Sequence, residues 1–199
     1  MLENLPKYRD IGAKLYSFHA PFRVRVISLG AQFPTEKIQD YNETLKVYLE
    51  SLNIVNEKAE KCGIQIAVEN NEVSQWNLVD GKNELLMFAE PDEIPFFFSD
   101  KINKNIGCLL DIGHLKVSAQ SLNFSKESFI DRIKNKIFEI HINDNDGVLD
   151  QHESINTETL SILDSVNLKE KNITLEIKNS SIEKIKDNCD IITNYISKK

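Results

Sequence analysis

Positive charge, cysteine and long apolar runs are all scarce in this sequence. Lysine and arginine number 24 against 31 aspartates and glutamates, a formal net charge of −7. That balance argues against broad electrostatic binding to nucleic acid or to an anionic membrane. No window of 18 residues is apolar throughout, so no bilayer-spanning helix is expected. The opening MLENLPKYRD is too polar for a signal peptide. The three cysteines, Cys62, Cys108 and Cys189, are scattered and form no C-x-x-C pair. They read as reduced, mostly buried thiols of a cytoplasmic protein. There is no low-complexity tract and no linker. A length of 199 residues suffices for one core and is short for two, so residues 1–199 are expected to form a single domain.

What is present is a series of short β-type runs: KLYSFHA (14–20), GIQIAVEN (63–70), IGCLLD (106–111), KIFEIHI (136–142) and NITLEI (172–177). Each is rich in Ile, Val, Leu or Phe and has the length of a strand. Helical patterns separate them. In 36–62, Leu45, Tyr48, Leu49, Leu52, Val55, Ala59 and Cys62 recur at three- and four-residue steps, and Gly63 follows as a stop. Further helices are expected over 125–134, with Ser125 as N-cap, and over 157–166. The last starts at SSIEK, where Ser180 and Glu183 have capping-box spacing, and runs to about Tyr195. PDEIPFFFSDKI reads as a short helix with a proline-set start. Alternating strand and helix predicts an α/β fold with parallel strands, either an open doubly wound sheet or a (β/α) barrel.

The strand ends carry the chemistry. The runs close on His19, Glu69, Asp111, His141 and Glu176, with His114 one short turn after the third. Asp, Glu and His make up 35 of the 199 residues, so five such ends exceed what chance supplies. All four histidines, His19, His114, His141 and His152, fall at a strand end or in the loop just after one, and none on an expected helix. C-terminal ends of parallel strands converge on one mouth. Carboxylates brought together there repel unless a cation offsets them. Oxygen-rich ligation with one or two imidazoles suits one divalent metal, Mn, Mg, Co or Zn. Each residue taken alone has a plainer role, as a structural histidine, a cap or a turn. In HINDNDGVLDQH (141–152), the stretch from Asp144 to Gly147 is open between a simple turn and part of a site.

IAVEN, LDIGH, HINDNDGVLDQH and TLEIK occur in that order. Together they resemble the xylose isomerase-like TIM-barrel superfamily, which holds sugar phosphate isomerases/epimerases and the endonuclease IV class of DNA-repair enzymes. The likeness extends from about residue 10 to nearly the end. It implies that Glu69, Asp111, His141 and Glu176 hold a single catalytic metal. It implies that His114 lies beside the substrate or a further metal. Asp150 and His152 match the Asp-x-His pair that, with His114, holds an additional zinc in the endonuclease branch. His19 is similar to the histidine closing the family's fourth strand.

A full barrel of this family has eight strands, and five runs are counted here. The expectation is therefore an incomplete (β/α) barrel lacking the first three strands, with residues 2–12 as the tail of a preceding helix and Gly12 as its stop. Open strand edges then call for a second copy of the chain or a partner fragment. The family's Gly-x-Gly turn after the final histidine is replaced by ESINTET.

The activity implied is a metal-dependent isomerase or epimerase of a sugar or sugar phosphate. Glu69 and Glu176 would exchange a proton beside a carbonyl, while His19 and His114 hydrogen-bond substrate hydroxyls. Two alternatives stand beside it: an endonuclease IV-like zinc phosphodiesterase, and a truncated barrel fragment without catalysis.

Overall fold

A computed structural model of the chain describes residues 2–26, 33–98, 103–169, 171–178 and 181–199. In chain order its elements are α1 (Leu5–Asp10), β1 (Leu15–His19), α2 (Tyr41–Cys62), β2 (Gln65–Glu69), a one-turn α3 (Ile94–Phe97), β3 (Ile106–Asp111), α4 (Ile112–Leu122), α5 (Lys126–Ile133), β4 (Ile137–Ile142), α6 (Thr157–Leu163), β5 (Asn172–Leu175) and α7 (Ile182–Ile196).

All neighbouring strands pair in parallel, in the order β1-β2-β3-β4-β5. Alternate residues point to opposite faces of a strand. Ile66, Val68, Cys108, Leu110, Ile140 and Ile142 join the core under the helices, where Leu52, Ala59, Leu115, Phe129, Ile133 and Leu163 meet them. The other face is concave. Ser17 of β1 comes near enough to Glu139 of β4 to act on its carboxyl, so strands three places apart approach across the curl. Gly107 on β3 leaves room for the Phe138 ring, which a Cβ there would meet at 2.5 Å. Sheet and helices together form an incomplete (β/α) barrel, as the strand count predicts.

Local chemistry sets the helix ends. Asp40 caps α2 by accepting from the backbone N–H of Asn42 and Glu43, which starts the helix at Tyr41 rather than at 36. Gly63 stops it in the left-handed region at φ 67°. Ser125 caps α5 as expected. Asn156 caps α6, which ends at Leu163, three residues before the expected 166. The cap of α7 is Ser181, whose Oγ accepts from Lys184 N–H, and Ser180 lies outside the described residues. The PDEIPFFF segment forms a 3-10 turn over Pro91–Glu93 and then α3; the SDK that follows falls outside the described residues.

One helix goes unpredicted. α4 begins at Ile112 directly after β3, with no intervening loop, and Asp111 is both the last strand residue and the N-cap. Residues Ile112 to Ala119 are all buried, so no polar stripe marks the helix in the sequence. His114 therefore sits in the first turn of a helix, which corrects the expectation that no histidine does.

Candidate active site

Parallel pairing places the C-terminal strand ends side by side. Register pairs His19 with Glu69 and Asp111 with His141, and Glu176 follows β5 by one residue. One ligand atom each of Glu69, Asp111 and His141 lies within 4.8 Å of the others. His19, Glu69 and His114 form a second such group through the shared Glu69. Glu176 joins through His141, whose Nδ1 is 3.1 Å from Glu176 Oε1. The same nitrogen is 3.8 Å from Glu69 Oε1 and 3.9 Å from Asp111 Oδ2.

Among the described residues that nitrogen, buried and 3.1 Å from Glu176 Oε1, has no hydrogen-bond partner. A buried ring nitrogen that faces three carboxylates without a hydrogen bond calls for a partner. Three carboxylates and an imidazole are also a donor set for a divalent ion. The residues present fit such an ion.

Around this group lie side chains that fix its members. The Asn70 amide donates to the Asp111 carbonyl at 3.1 Å and accepts from its N–H at 2.8 Å. The Asn70 carbonyl accepts from His114 Nδ1 at 2.8 Å, which leaves His114 Nε2 facing Asp150 Oδ2 at 3.5 Å. Asn143 Nδ2 donates to both Asp111 oxygens, at 3.2 and 3.4 Å. A Cβ at Gly113 would stand 1.9 Å from Asn143 Oδ1. Gly113→Ala is therefore expected to displace Asn143 and loosen Asp111, at a cost of about 1–3 kcal/mol from overpacking. Urea unfolding of the variant measures this; an unchanged midpoint would show that Asn143 moves aside freely.

The loop after β4 turns out to be half turn and half site. Asp146 caps a tight turn by accepting from Val148 and Leu149 N–H, the plainer of the two expectations. Asp144 and Asn145 are instead 2% and 6% exposed. Lys116 of α4, itself buried, donates to Asp144 and to the Asn145 carbonyl. Asp144 and Glu153 exchange backbone hydrogen bonds that close the loop. Its far end carries Asp150 and His152, with His152 in the left-handed region at φ 54°. His152 Nε2 is 2.8 Å from Asp150 Oδ2, and its Nδ1 meets the Glu176 carbonyl at 3.0 Å. Asp150 thus bridges His114 and His152.

Every singled-out residue reaches this one mouth: His19, Glu69, Asp111, His114, His141, Asp150, His152 and Glu176. His19 stands at the rim, 3.6 Å from Glu69 Oε2 and stacked on His114 with centroids 5.8 Å apart. Residues that motif spacing does not single out are Asn70, Asn143, Lys116 and Glu139. Asn70, Asn143 and Lys116 meet their partners through distant pairing that no local pattern signals, whereas Glu139 lies two residues from His141 on one face of β4.

Electrostatics separates the two glutamates. Burial pushes the Glu69 carboxyl up to about 7. Glu176 is held below the ordinary carboxylate value by its contact with His141. Burial pulls the His141 imidazolium down, but Glu139 and Glu176 outweigh it and lift the ring to about 10. Burial likewise opposes charge on His114 and Asp150, yet Asp111 and then Asp150 raise His114, and His114 and His152 lower Asp150. His19 is lowered by burial and then by His114.

The family model of the xylose isomerase-like TIM barrel matches residues 8–195. The chain belongs to that family. This xylose isomerase-like chain is 33% identical over 150 residues to an uncharacterized protein of Methanocaldococcus jannaschii, an alignment covering 72% of the chain and 51% of the relative. It thus spans about half the length of the curated relative it matches. A solved D-tagatose 3-epimerase-like protein superposes with a TM-score of 0.71 at 20% identity, over 98% of this chain and 67% of the other. The IOLI protein solved with a bound zinc atom gives a TM-score of 0.59 at 18% identity, over 99% and 68%. These likenesses establish the xylose isomerase-like fold.

Proposed function

We propose that this site isomerises or epimerises a sugar or sugar phosphate, moving a proton on carbon next to a carbonyl, with one divalent metal held by Glu69, Asp111, His141 and Glu176. The observation that supports it most is the pair of glutamates flanking the buried, hydrogen-bond-free His141 Nδ1, pushed apart in acidity. A divalent ion held by these residues would supply Lewis acidity toward the substrate carbonyl. Glu176, kept ionised, takes the proton from the carbon beside the carbonyl. The electron pair left behind delocalises onto the carbonyl oxygen. Glu69 hands a proton drawn from solvent back to the same or the adjacent carbon. His19 and His114 hydrogen-bond the substrate oxygens at the mouth. The resemblance of the fold to a D-tagatose 3-epimerase-like protein and to a zinc-bound protein supports the substrate class and the metal.

The same reading extends to partners and surroundings. Among the described residues no strand covers the outer edge of β1 or of β5. A second copy of the chain, or a separate fragment, pairs with those edges and completes the wall of the mouth. No described helix is long and apolar enough to cross a membrane. Three free thiols suit a reducing cytoplasm.

The test is elemental analysis of the purified protein together with solvent deuterium exchange into a panel of ketoses. Close to one divalent ion per chain is expected, lost in Glu69→Ala, with exchange next to the carbonyl. Absence of both metal and exchange would overturn the proposal. The His114–Asp150–His152 cluster is the feature that favours a zinc phosphodiesterase instead. Two or three zinc ions per chain with phosphodiester cleavage would support that activity. Solution mass tests the partner: assembly is expected, and a stable monomer active alone would refute it.

A further inference from the structure

One carboxylate on the concave face has no part in the chemistry above. Glu139 lies two residues before His141 on β4, so both side chains project from the same face. His141 Nε2 is 3.6 Å from Glu139 Oε1. The opposite edge of the ring, at Nδ1, faces Glu176, Glu69 and Asp111 at 3.1, 3.8 and 3.9 Å. The two ring nitrogens therefore look at different carboxylates: one at the proposed metal site, the other at Glu139.

We propose that Glu139 is a positioning residue, accepting the Nε2–H of His141 so that the ring presents its Nδ1 lone pair to the metal. The proposal rests on the metal reading of the site.

Glu139 is itself anchored. Thr174 Oγ1 of β5 donates to its Oε1 at 3.1 Å, and Ser17 of β1 faces it from across the curl. Its side chain is 13% exposed, as is that of His141. A separation of 3.6 Å lies just beyond a hydrogen bond, and a small rotation of either side chain closes it. Histidines that bind metals through one nitrogen usually donate the other N–H to a carboxylate or carbonyl. That second bond selects the tautomer, holds the ring plane and makes the ligating nitrogen more basic. In this chain the arrangement would leave Nδ1 without a hydrogen bond, as it is.

The competing role for Glu139 is mechanical: with Ser17 and Thr174 it ties β1, β4 and β5 together. Substitutions separate the two. Glu139→Gln keeps an acceptor for both hydroxyls and removes the charge that His141 sees. Ser17→Ala and Thr174→Val remove the ties and leave the charge. Zinc affinity is measured on the purified full chain by competition with a chromophoric chelator. The ring N–H protons of His141 are followed by NMR, and folding is checked by thermal unfolding.

Zinc is expected to bind about tenfold more weakly to Glu139→Gln, and up to about 100-fold more weakly to Glu139→Ala. Ser17→Ala and Thr174→Val should stay within about twofold of the parent. The Nε2 proton should exchange slowly in the parent and vanish from the spectrum of Glu139→Ala. Folded Glu139 variants that bind zinc as tightly as the parent would overturn the proposal. So would hydroxyl variants that weaken zinc as much as Glu139→Gln does. If the parent takes up no metal, the proposed function falls, and the Nε2 proton then tests the pairing alone. Its loss in metal-free Glu139→Ala would support the positioning of the ring, and its persistence would refute it.

Discussion

Replacing Glu176 by glutamine is expected to lower solvent proton exchange by about 10²–10⁴-fold, the usual contribution of a positioned acid or base. The amide has nearly the shape of the carboxylate and can still offer an oxygen ligand. Metal is therefore expected to remain partly bound, through Glu69, Asp111 and His141, which already lie within 4.8 Å of one another. Glutamine cannot accept a proton from carbon. The variant thus separates holding a metal from moving a proton. Glu176 suits the removing role because His141 keeps its carboxyl below the ordinary value, ready to accept at neutral pH. Glu69→Gln should also stop exchange but weaken metal more, because Glu69 belongs to both ligand groups. Deuterium incorporation into a ketose, measured beside metal content, reads both quantities. Exchange retained in a metal-loaded Glu176→Gln would exclude Glu176 as the base.

The strand ends were legible because chemistry and position coincide there. A buried parallel strand is almost wholly apolar, so an Asp, Glu or His at its last position stands out. Glu69 and Asp111 follow VAL-, ILE- or LEU-rich runs and are 8% and 0% exposed, so the contrast in sequence reflects real burial. His141 and Glu176 follow the same rule. The curl of the sheet was legible only through the family resemblance. Alternating strands and helices fit a flat doubly wound sheet equally well, and it is the unbroken order β1-β2-β3-β4-β5, with Ser17 of β1 brought near Glu139 of β4, that distinguishes the barrel type.

The supporting residues were hidden for a different reason. Asn70 reads as a turn residue just past a strand, yet its amide closes on the Asp111 backbone 41 residues later. Lys116 reads as a helix-surface lysine, yet it is 5% exposed and neutralises Asp144, 28 residues on. Such pairings depend on which strand neighbours which, and local composition does not encode that. α4 was missed because a helix buried on nearly all sides has no amphipathic stripe. The start of α2 was misplaced because Asp40, five residues inside the expected helix, competes for the backbone as a cap.

Metal binding is expected to strengthen by more than about 100-fold between pH 6 and pH 8, because the ion must displace protons the folded site retains. Glu69 is raised from 4.5 to about 7 by burial, and His141 from 6.5 to about 10 by Glu139 and Glu176 against the pull of burial. Both folded values lie above the unfolded ones, so the metal-free fold binds more protons than the unfolded chain in between. Its stability from these two groups is complete at acid pH and declines as pH rises, between 4.5 and 7 for Glu69 and between 6.5 and 10 for His141. Glu176 and Asp150, held low, act oppositely and lose their contribution as pH falls into the acid range. The window above pH 6 is therefore governed by Glu69 and by the raised histidines His141, His114 and His152, of which the proposed ion displaces protons from Glu69 and His141. Near pH 8 only His141 must give up its proton, and affinity should change about tenfold per pH unit. Below pH 7 Glu69 adds its own proton and the slope steepens. Calorimetry in buffers of different ionisation enthalpy should find about one proton released per ion at pH 8 and more at pH 6. In thermal unfolding, the metal-free chain should soften from pH 6 to pH 9, and added metal should reverse the loss most strongly at the alkaline end. Affinity that stays flat from pH 6 to pH 8, with no proton release, would mean that the ion binds away from Glu69 and His141.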